Sequence, residues 1–148
     1  MSNHLKIEKF KSKHFKDYQS WSGDPEFNKR LGPIDEEWLS FVLQDETGDQ
    51  YAFTNGSKLM AVVGIVLPTS VDNNYTITDI SVAPQLRSKG IGTKALNLLM
   101  RHYSRDTKTW KAFIEYDNLT AVQFFKKNGW ESDGIVDSEG MLCLVFRN

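Results

Sequence analysis

Leu5 and Ile7 alternate with Lys6 and Glu8, the period-two pattern of a strand with one buried face. Phe15, Tyr18 and Trp21 then recur at helical spacing until Gly23-Asp24-Pro25 interrupts them. A second helix is predicted from Asp35, whose carboxylate can accept from orphan amides of a first turn while Glu36 and Glu37 meet the positive helix end. Ile34 and Leu39 stand where a hydrophobic staple places its two apolar residues. Strand signals follow on both sides of Asn55-Gly56, a pair that takes the positive backbone angles of a tight hairpin turn. Met60 to Leu67, short and rich in Val and Ile, reads as a central strand.

Tyr75 to Val82 reads as the next strand, stopped at Ala83-Pro84 because proline cannot donate to a ladder. Ile91, Ala95, Leu98, Leu99 and Tyr103 repeat with helical period. Trp110 to Tyr116 is strand-like and Asn118 to Asn128 helical, and Trp130 to Val136 with Met141 to Phe146 reads as a closing strand pair. Consecutive strands imply antiparallel pairing and the strand-helix-strand passage a parallel one, so a mixed sheet is expected. No repeat, low-complexity tract or linker divides the chain, which is read as one domain over residues 1–148.

The stretch from Ala83 to Thr93 lies between a predicted strand and a predicted helix and carries Gly90 and Gly92 beside Arg87 and Lys89. Glycines at a helix start let a ligand approach backbone NH groups where the helix dipole favours negative charge, and the two cations add to that preference. The pattern points to a phosphate or pyrophosphate. An NTPase phosphate loop needs G-x-x-x-x-G-K-[ST], which is not present. Gly90-x-Gly92-x-x-Ala95 matches a dinucleotide fingerprint with Glu115 near the expected acidic position. Against that, Val82 is too far from Gly90, and too little chain remains after Glu115 for further parallel units.

Arg87-x-x-Gly90-x-Gly92, after Ile80-Ser81-Val82-Ala83-Pro84, resembles the acetyl-CoA signature of the GCN5-related N-acetyltransferases (GNAT superfamily). Asn118-x-x-Ala121-x-x-Phe124-Phe125-x-Lys127-x-Gly129-Trp130 is similar to that family's second block, in register with the first. The resemblance implies an α/β (α+β) fold with a mixed, mostly antiparallel sheet of about seven strands flanked by about four helices. It also implies acetyl-CoA as cosubstrate and acetyl transfer to a primary amine by direct attack in a ternary complex. By position, Arg87, Ser88, Lys89, Gly90, Ile91, Gly92 and Thr93 would hold the pyrophosphate, and Ser81 and Val82 would pair with the pantetheine arm. Asn118 matches a residue bonding that arm, although it is equally well placed as an N-cap. Phe125 stands where many relatives carry the Tyr that donates to the CoA thiolate, and it has no proton to give.

An amine of pKa about 10 must lose a proton before it attacks a thioester. Asp79 is the leading base candidate, because a mid-strand carboxylate needs a reason; the bland alternative is a structural Asp bonding a neighbour. Glu115 is the second choice. Tyr116 and Tyr75 are the hydroxyls nearest in the reading for the leaving group, against the commoner outcome of a Tyr packed on a sheet. Trp21 and Trp38 either line an acceptor pocket or simply pack. Cys143, in an apolar run, reads as a core thiol, and His4, His14 and His102 lack ligand spacing, so no metal is proposed.

The total of 18 Lys and Arg against 19 Asp and Glu in 148 residues gives a formal charge of −1 and no bulk attraction to nucleic acid. That sum hides a separation. Leu31 to Gln50 holds six acids (Asp35, Glu36, Glu37, Asp45, Glu46, Asp49) without a Lys or Arg, and Gln85 to Lys111 holds seven bases against Asp106. The acidic segment either favours a small cationic amine acceptor or is a solvated helix face. A lone cysteine suits a reducing cytoplasm, no apolar run spans a membrane, and a monomer or homodimer is expected. The rival functions are a non-catalytic acyl-CoA-binding module and an acetyltransferase acting on a protein or peptide amine.

Overall fold

The computed structural model describes residues 4–103 and 109–147; Asp106, the one acid counted in the basic segment, lies outside them. The elements are β1 (Lys6–Lys9), α1 (Ser12–Ser20), α2 (Pro25–Arg30), α3 (Glu36–Gln44), β2 (Gly48–Asn55), β3 (Lys58–Val66), β4 (Tyr75–Val82), α4 (Ile91–His102), β5 (Trp110–Glu115), α5 (Leu119–Lys127) and β6 (Met141–Phe146). The strands are hydrogen-bonded in chain order. β1 pairs antiparallel with β2 and β5 with β6, whereas β4 and β5, separated by α4, run parallel. The expected mixed and mostly antiparallel sheet is present; the described residues form six strands and five α-helices, close to the expected seven and four.

Contacts divide the chain into two units, Met1–Gly64 with Asp79–Ser104 and Ile65–Thr78 with Arg105–Asn148. The first is built on an aromatic core that includes Phe10, Phe15, Tyr18, Trp21 and Phe27. The second buries Tyr75, Trp110, Val122, Phe125, Trp130 and Leu144. No described helix is long and apolar enough to cross a membrane.

Three local differences from the sequence reading have physical causes. Gly23-Asp24-Pro25 does interrupt α1, but it also starts α2: Asp24 accepts from the Phe27 amide at 2.9 Å, and Pro25 takes the first helical position, where its missing N–H costs nothing. In the β2–β3 hairpin the loop is Gly56-Ser57, and only Gly56 takes a positive φ, of 64°, while Asn55 closes the strand. The expected strand from Trp130 to Val136 is reduced to two isolated bridges, Glu131↔Val145 and Val136↔Leu142. Between them Ser132 Oγ accepts from the Gly134 amide and Asp133 Oδ1 from the Ile135 amide, so side chains capture the amides a ladder would use.

At α3 the Asp35 side chain accepts from the Trp38 amide at 2.9 Å, and Ile34 and Leu39 are both buried, as the cap and staple pattern requires. Replacing Asp35 with Ala removes this cap. The expected loss is about 1 kcal/mol, read as a fall of roughly 2–4 °C in thermal melting.

Candidate functional site

After β4 the chain passes through a short 3-10 helix, Pro84–Leu86, and reaches α4 by way of Arg87, Ser88, Lys89 and Gly90. Ser88 has φ 64° and Gly90 φ 80°, so two left-handed residues flank Lys89. Space around Gly90 is open, which leaves the positive φ as the reason for glycine at the N-cap of α4. Gly90 provides no side-chain cap. The amides of Ile91, Gly92 and Thr93, the first three of α4, have no intrahelical acceptor by helix geometry, and together with the dipole they suit an anion. The residue set therefore fits a polyphosphate.

Arg87 is already engaged. Its Nη2 donates to Asp24 Oδ2 at 2.9 Å, on the same carboxylate that caps α2. The Arg87 hydrogen bond first, and then the Phe27 amide, hold the Asp24 carboxyl below the usual range. Beside this pair opens a cavity of about 340 Å³ lined by Ser20, Trp21, Gly23, Asp24, Pro84 and Gln85. Trp21 thus borders a cavity while being almost wholly buried, and Trp38 packs on Phe10 and Tyr18.

Asp79 and Ser81 share one face of β4. Ser81 Oγ donates to the Tyr18 hydroxyl at 3.4 Å, and Gln50 Nε2 donates to Asp79 Oδ2 at 3.0 Å. Burial, and secondarily the Asp79 charge, push the Tyr18 phenol far above its ordinary pKa, so it stays neutral. Backbone pairing continues past Val82, with the Ala83 amide donating to the Met60 carbonyl. The parallel β4–β5 ladder comprises Tyr75↔Trp110, Thr76↔Lys111 and Ile77↔Ala112, after which β4 runs on to Val82.

In the second unit, Glu115 ends β5 opposite Met141, and Tyr116 follows it exposed. Asn118 caps α5, its Oδ1 accepting from the Ala121 amide at 3.3 Å. Phe125 is fully buried, with ring centroids 4.8 Å from Trp130. Tyr75 is buried and stacked on Trp110 at 4.6 Å, the packing alternative for a strand Tyr. Cys143 is half-buried, and burial raises its thiol pKa.

The acidic segment is partly committed to local structure. Asp35 caps α3, Asp45 accepts from the Thr47 amide and hydroxyl, and Asp49 accepts from Lys9 and from the Tyr103 hydroxyl. Glu36, Glu37 and Glu46 are exposed. His14 is a buried structural residue, bonded to the Lys11 amide and to Glu8, and no group of metal-ligating side chains occurs among the described residues.

Sequence reasoning missed Gln50 as a partner of Asp79, Tyr18 as a polar group, and Asp24 as a partner of Arg87. The first two depend on pairings across the fold and leave no local signal. Asp24-Pro25-Glu26 was legible as a helix start, since cap, proline and first-turn acid stand in order.

A model of the acetyltransferase (GNAT) family matches residues 9–130. No curated protein matches the chain. Among solved structures, an acetyltransferase from Salmonella typhimurium that modifies the N-terminal serine of 50S ribosomal subunit protein L7/L12 superposes with a TM-score of 0.82 at 13% identity, over 99% of this chain and 96% of that one. The aminoglycoside acetyltransferase AAC(6′)-Ib in complex with coenzyme A gives 0.80 at 16% identity, over 98% and 95%. A spermidine N-acetyltransferase chimera from Vibrio cholerae and hSSAT gives 0.78 at 12%, over 97% and 95%.

Asp24→Asn keeps a competent cap for α2 while removing the charge that Arg87 holds. The expected result is roughly two- to fivefold tighter binding of inorganic pyrophosphate and of CoA in low-salt calorimetry. Unchanged or weaker binding removes Arg87 from the anion site.

Proposed function

The chain belongs to the acetyltransferase (GNAT) family, and from that premise we propose that it moves an acetyl group from acetyl-CoA to a primary amine by direct attack in a ternary complex. The observation that carries this reading is the turn with left-handed Ser88 and Gly90, opening onto a helix start without a side-chain cap just after β4. Bound acetyl-CoA supplies the activated thioester; the remaining work falls to this chain's residues.

The Ile91, Gly92 and Thr93 amides, with Ser88 and Lys89, hold the pyrophosphate, and Arg87 joins them by exchanging the Asp24 carboxylate for phosphate oxygen. Ser81 and Val82, beyond the end of the β4–β5 ladder, offer backbone groups to the pantetheine arm. The Val82 NH donates to the oxyanion that develops at the carbonyl. Asn118 spends Oδ1 on its cap, so Nδ2 is the end that meets the arm. Phe125, on α5, acts by packing against Trp130.

Asp79 takes the proton of the acceptor ammonium, directly or through one water, and Glu115 is the alternative base. Since Phe125 cannot donate, the exposed Tyr116 hydroxyl is assigned to the departing thiolate. The acceptor is a small cationic amine, a reading supported by the exposed Glu36, Glu37 and Glu46 in a segment without Lys or Arg. Fold neighbours that act on spermidine and on aminoglycosides support the same class.

Incubating the protein with acetyl-CoA and a panel of polyamines, aminoglycosides and peptide amino termini, while following free thiol, is expected to give acceptor-dependent release with the polycations. Release only with peptides assigns the acceptor to protein. CoA binding without any acceptor-dependent thiol makes the chain a binding module, the reading that Phe125 favours. Asp79→Asn is expected to lower turnover by roughly 10²- to 10⁴-fold and to change the pH profile of transfer; an unchanged profile removes Asp79 from the role of base.

A further inference from the structure

The cavity beside the Asp24–Arg87 pair is walled by two stretches of the first unit. Ser20, Trp21, Gly23 and Asp24 come from the end of α1 and the passage to α2, and Pro84 and Gln85 from the chain that leaves β4. Its volume of about 340 Å³ lies at the small end of the range for small-molecule sites, roughly 300–1,000 Å³. Among the residues that line it, Asp24 alone carries a charge. Pro84 stands just past Val82, so this wall begins where the proposed function assigns the oxyanion contact.

Two donors meet on one oxygen of that carboxylate. The Phe27 amide and Arg87 Nη2 both donate to Asp24 Oδ2, each at 2.9 Å. The amide belongs to α2, and Phe27 is buried in the aromatic core, so the carboxylate is held in place independently of Arg87. Arg87 reaches it through a partly exposed side chain. While that pair stands, the carboxylate is neutralised toward any other cation. Once Arg87 turns to a pyrophosphate, Asp24 presents an uncompensated and already oriented carboxylate at the cavity wall. An attacking amine has to give up its proton, so a fixed carboxylate here serves a second ammonium that keeps its own.

We propose that this cavity is the subsite for the non-reacting ammonium of a diamine or polyamine acceptor, with Asp24 as the residue that selects it. The exchange of Arg87 between Asp24 and pyrophosphate then makes cosubstrate and acceptor bind with positive coupling. This rests on the reading of Arg87 as a pyrophosphate ligand. The coupling has a ceiling, because the amine relieves only the competition that Asp24 exerts for Arg87, roughly two- to fivefold for a partly exposed pair. By linkage each ligand tightens the other by the same factor.

The test is low-salt calorimetry with spermidine and with CoA, which carries no acetyl group to transfer. Each ligand is titrated alone and with the other saturating, on the parent chain, Asp24→Asn and Arg87→Gln. In the parent, each is expected to tighten the other by roughly two- to fivefold. Asp24→Asn is expected to bind CoA more tightly and spermidine roughly three- to fivefold more weakly, with the coupling gone. Arg87→Gln is expected to weaken CoA, to tighten spermidine titrated alone, and to lose the coupling as well. A merely structural role for Asp24 weakens both ligands together in Asp24→Asn, and that result overturns the inference. So does spermidine binding to the parent that ignores CoA, that is unchanged in Asp24→Asn, or that is absent at millimolar concentration with CoA bound, while Arg87→Gln still weakens CoA. If Arg87→Gln leaves CoA affinity unchanged, the assignment of Arg87 to the pyrophosphate is what has failed, and the inference falls with it.

Discussion

The burial of one phenol organises the first unit. Tyr18 lies among Phe10, Trp21, Phe27 and Trp38, with ring centroids 5.2–5.7 Å apart and mostly edge-to-face geometry. Each such contact adds about 0.5–1.5 kcal/mol beyond the area buried. The partners come from the chain after β1, from a short 3-10 helix, Trp21–Gly23, after α1, and from α2 and α3, so a single ring ties the amino-terminal helices together. A hydroxyl at that depth must be satisfied. It is met by Ser81, which commits that face of β4 to α1 and places Asp79 beside a neutral phenol. The aromatic cluster of the first unit thus reaches β4 through a single hydroxyl contact.

The anion-ready turn depends on backbone angles. Lys89 sits between two residues with positive φ, and one of them, Ser88, is not glycine, so the surrounding structure has to hold it there. What it holds is a start to α4 whose N-cap, Gly90, makes no side-chain cap hydrogen bond. Arg87 differs, because its position is secured by a carboxylate from another element. With both side chains partly exposed, at 39% and 23%, the pair adds little to stability.

Much of this was legible along the chain. Tyr75–Val82 is bounded as the alternation and Pro84 require, Ile91–His102 follows the helical period, and Asp35 caps the helix it was expected to cap. These are decided by neighbours within a few positions. The failures occur where local chemistry competes with a pattern. Ser132 and Asp133 draw amides out of what alternation alone makes a strand, and Asp24 begins a helix inside what reads as a break. In the candidate site, the glycines and Arg87 stood out before a predicted helix, and Asn118 as an N-cap. Gln50, Tyr18 and Asp24 could not be assigned as partners, since each meets a residue 29 to 63 positions away.

The charge separation along the chain gains a sharper meaning from those long-range partners. Several acids of the Leu31–Gln50 segment serve as caps or ion-pair partners, so the sum of charge there overstates the field an acceptor would feel. More telling is what the two long-range contacts join. Arg87 is paired with the Asp24 carboxylate, and Asp79 accepts from the Gln50 carboxamide, 63 and 29 positions away along the chain. Each contact links elements that no local pattern connects, so the setting of both charges rests on Asp24 and Gln50 as well as on the motif residues themselves.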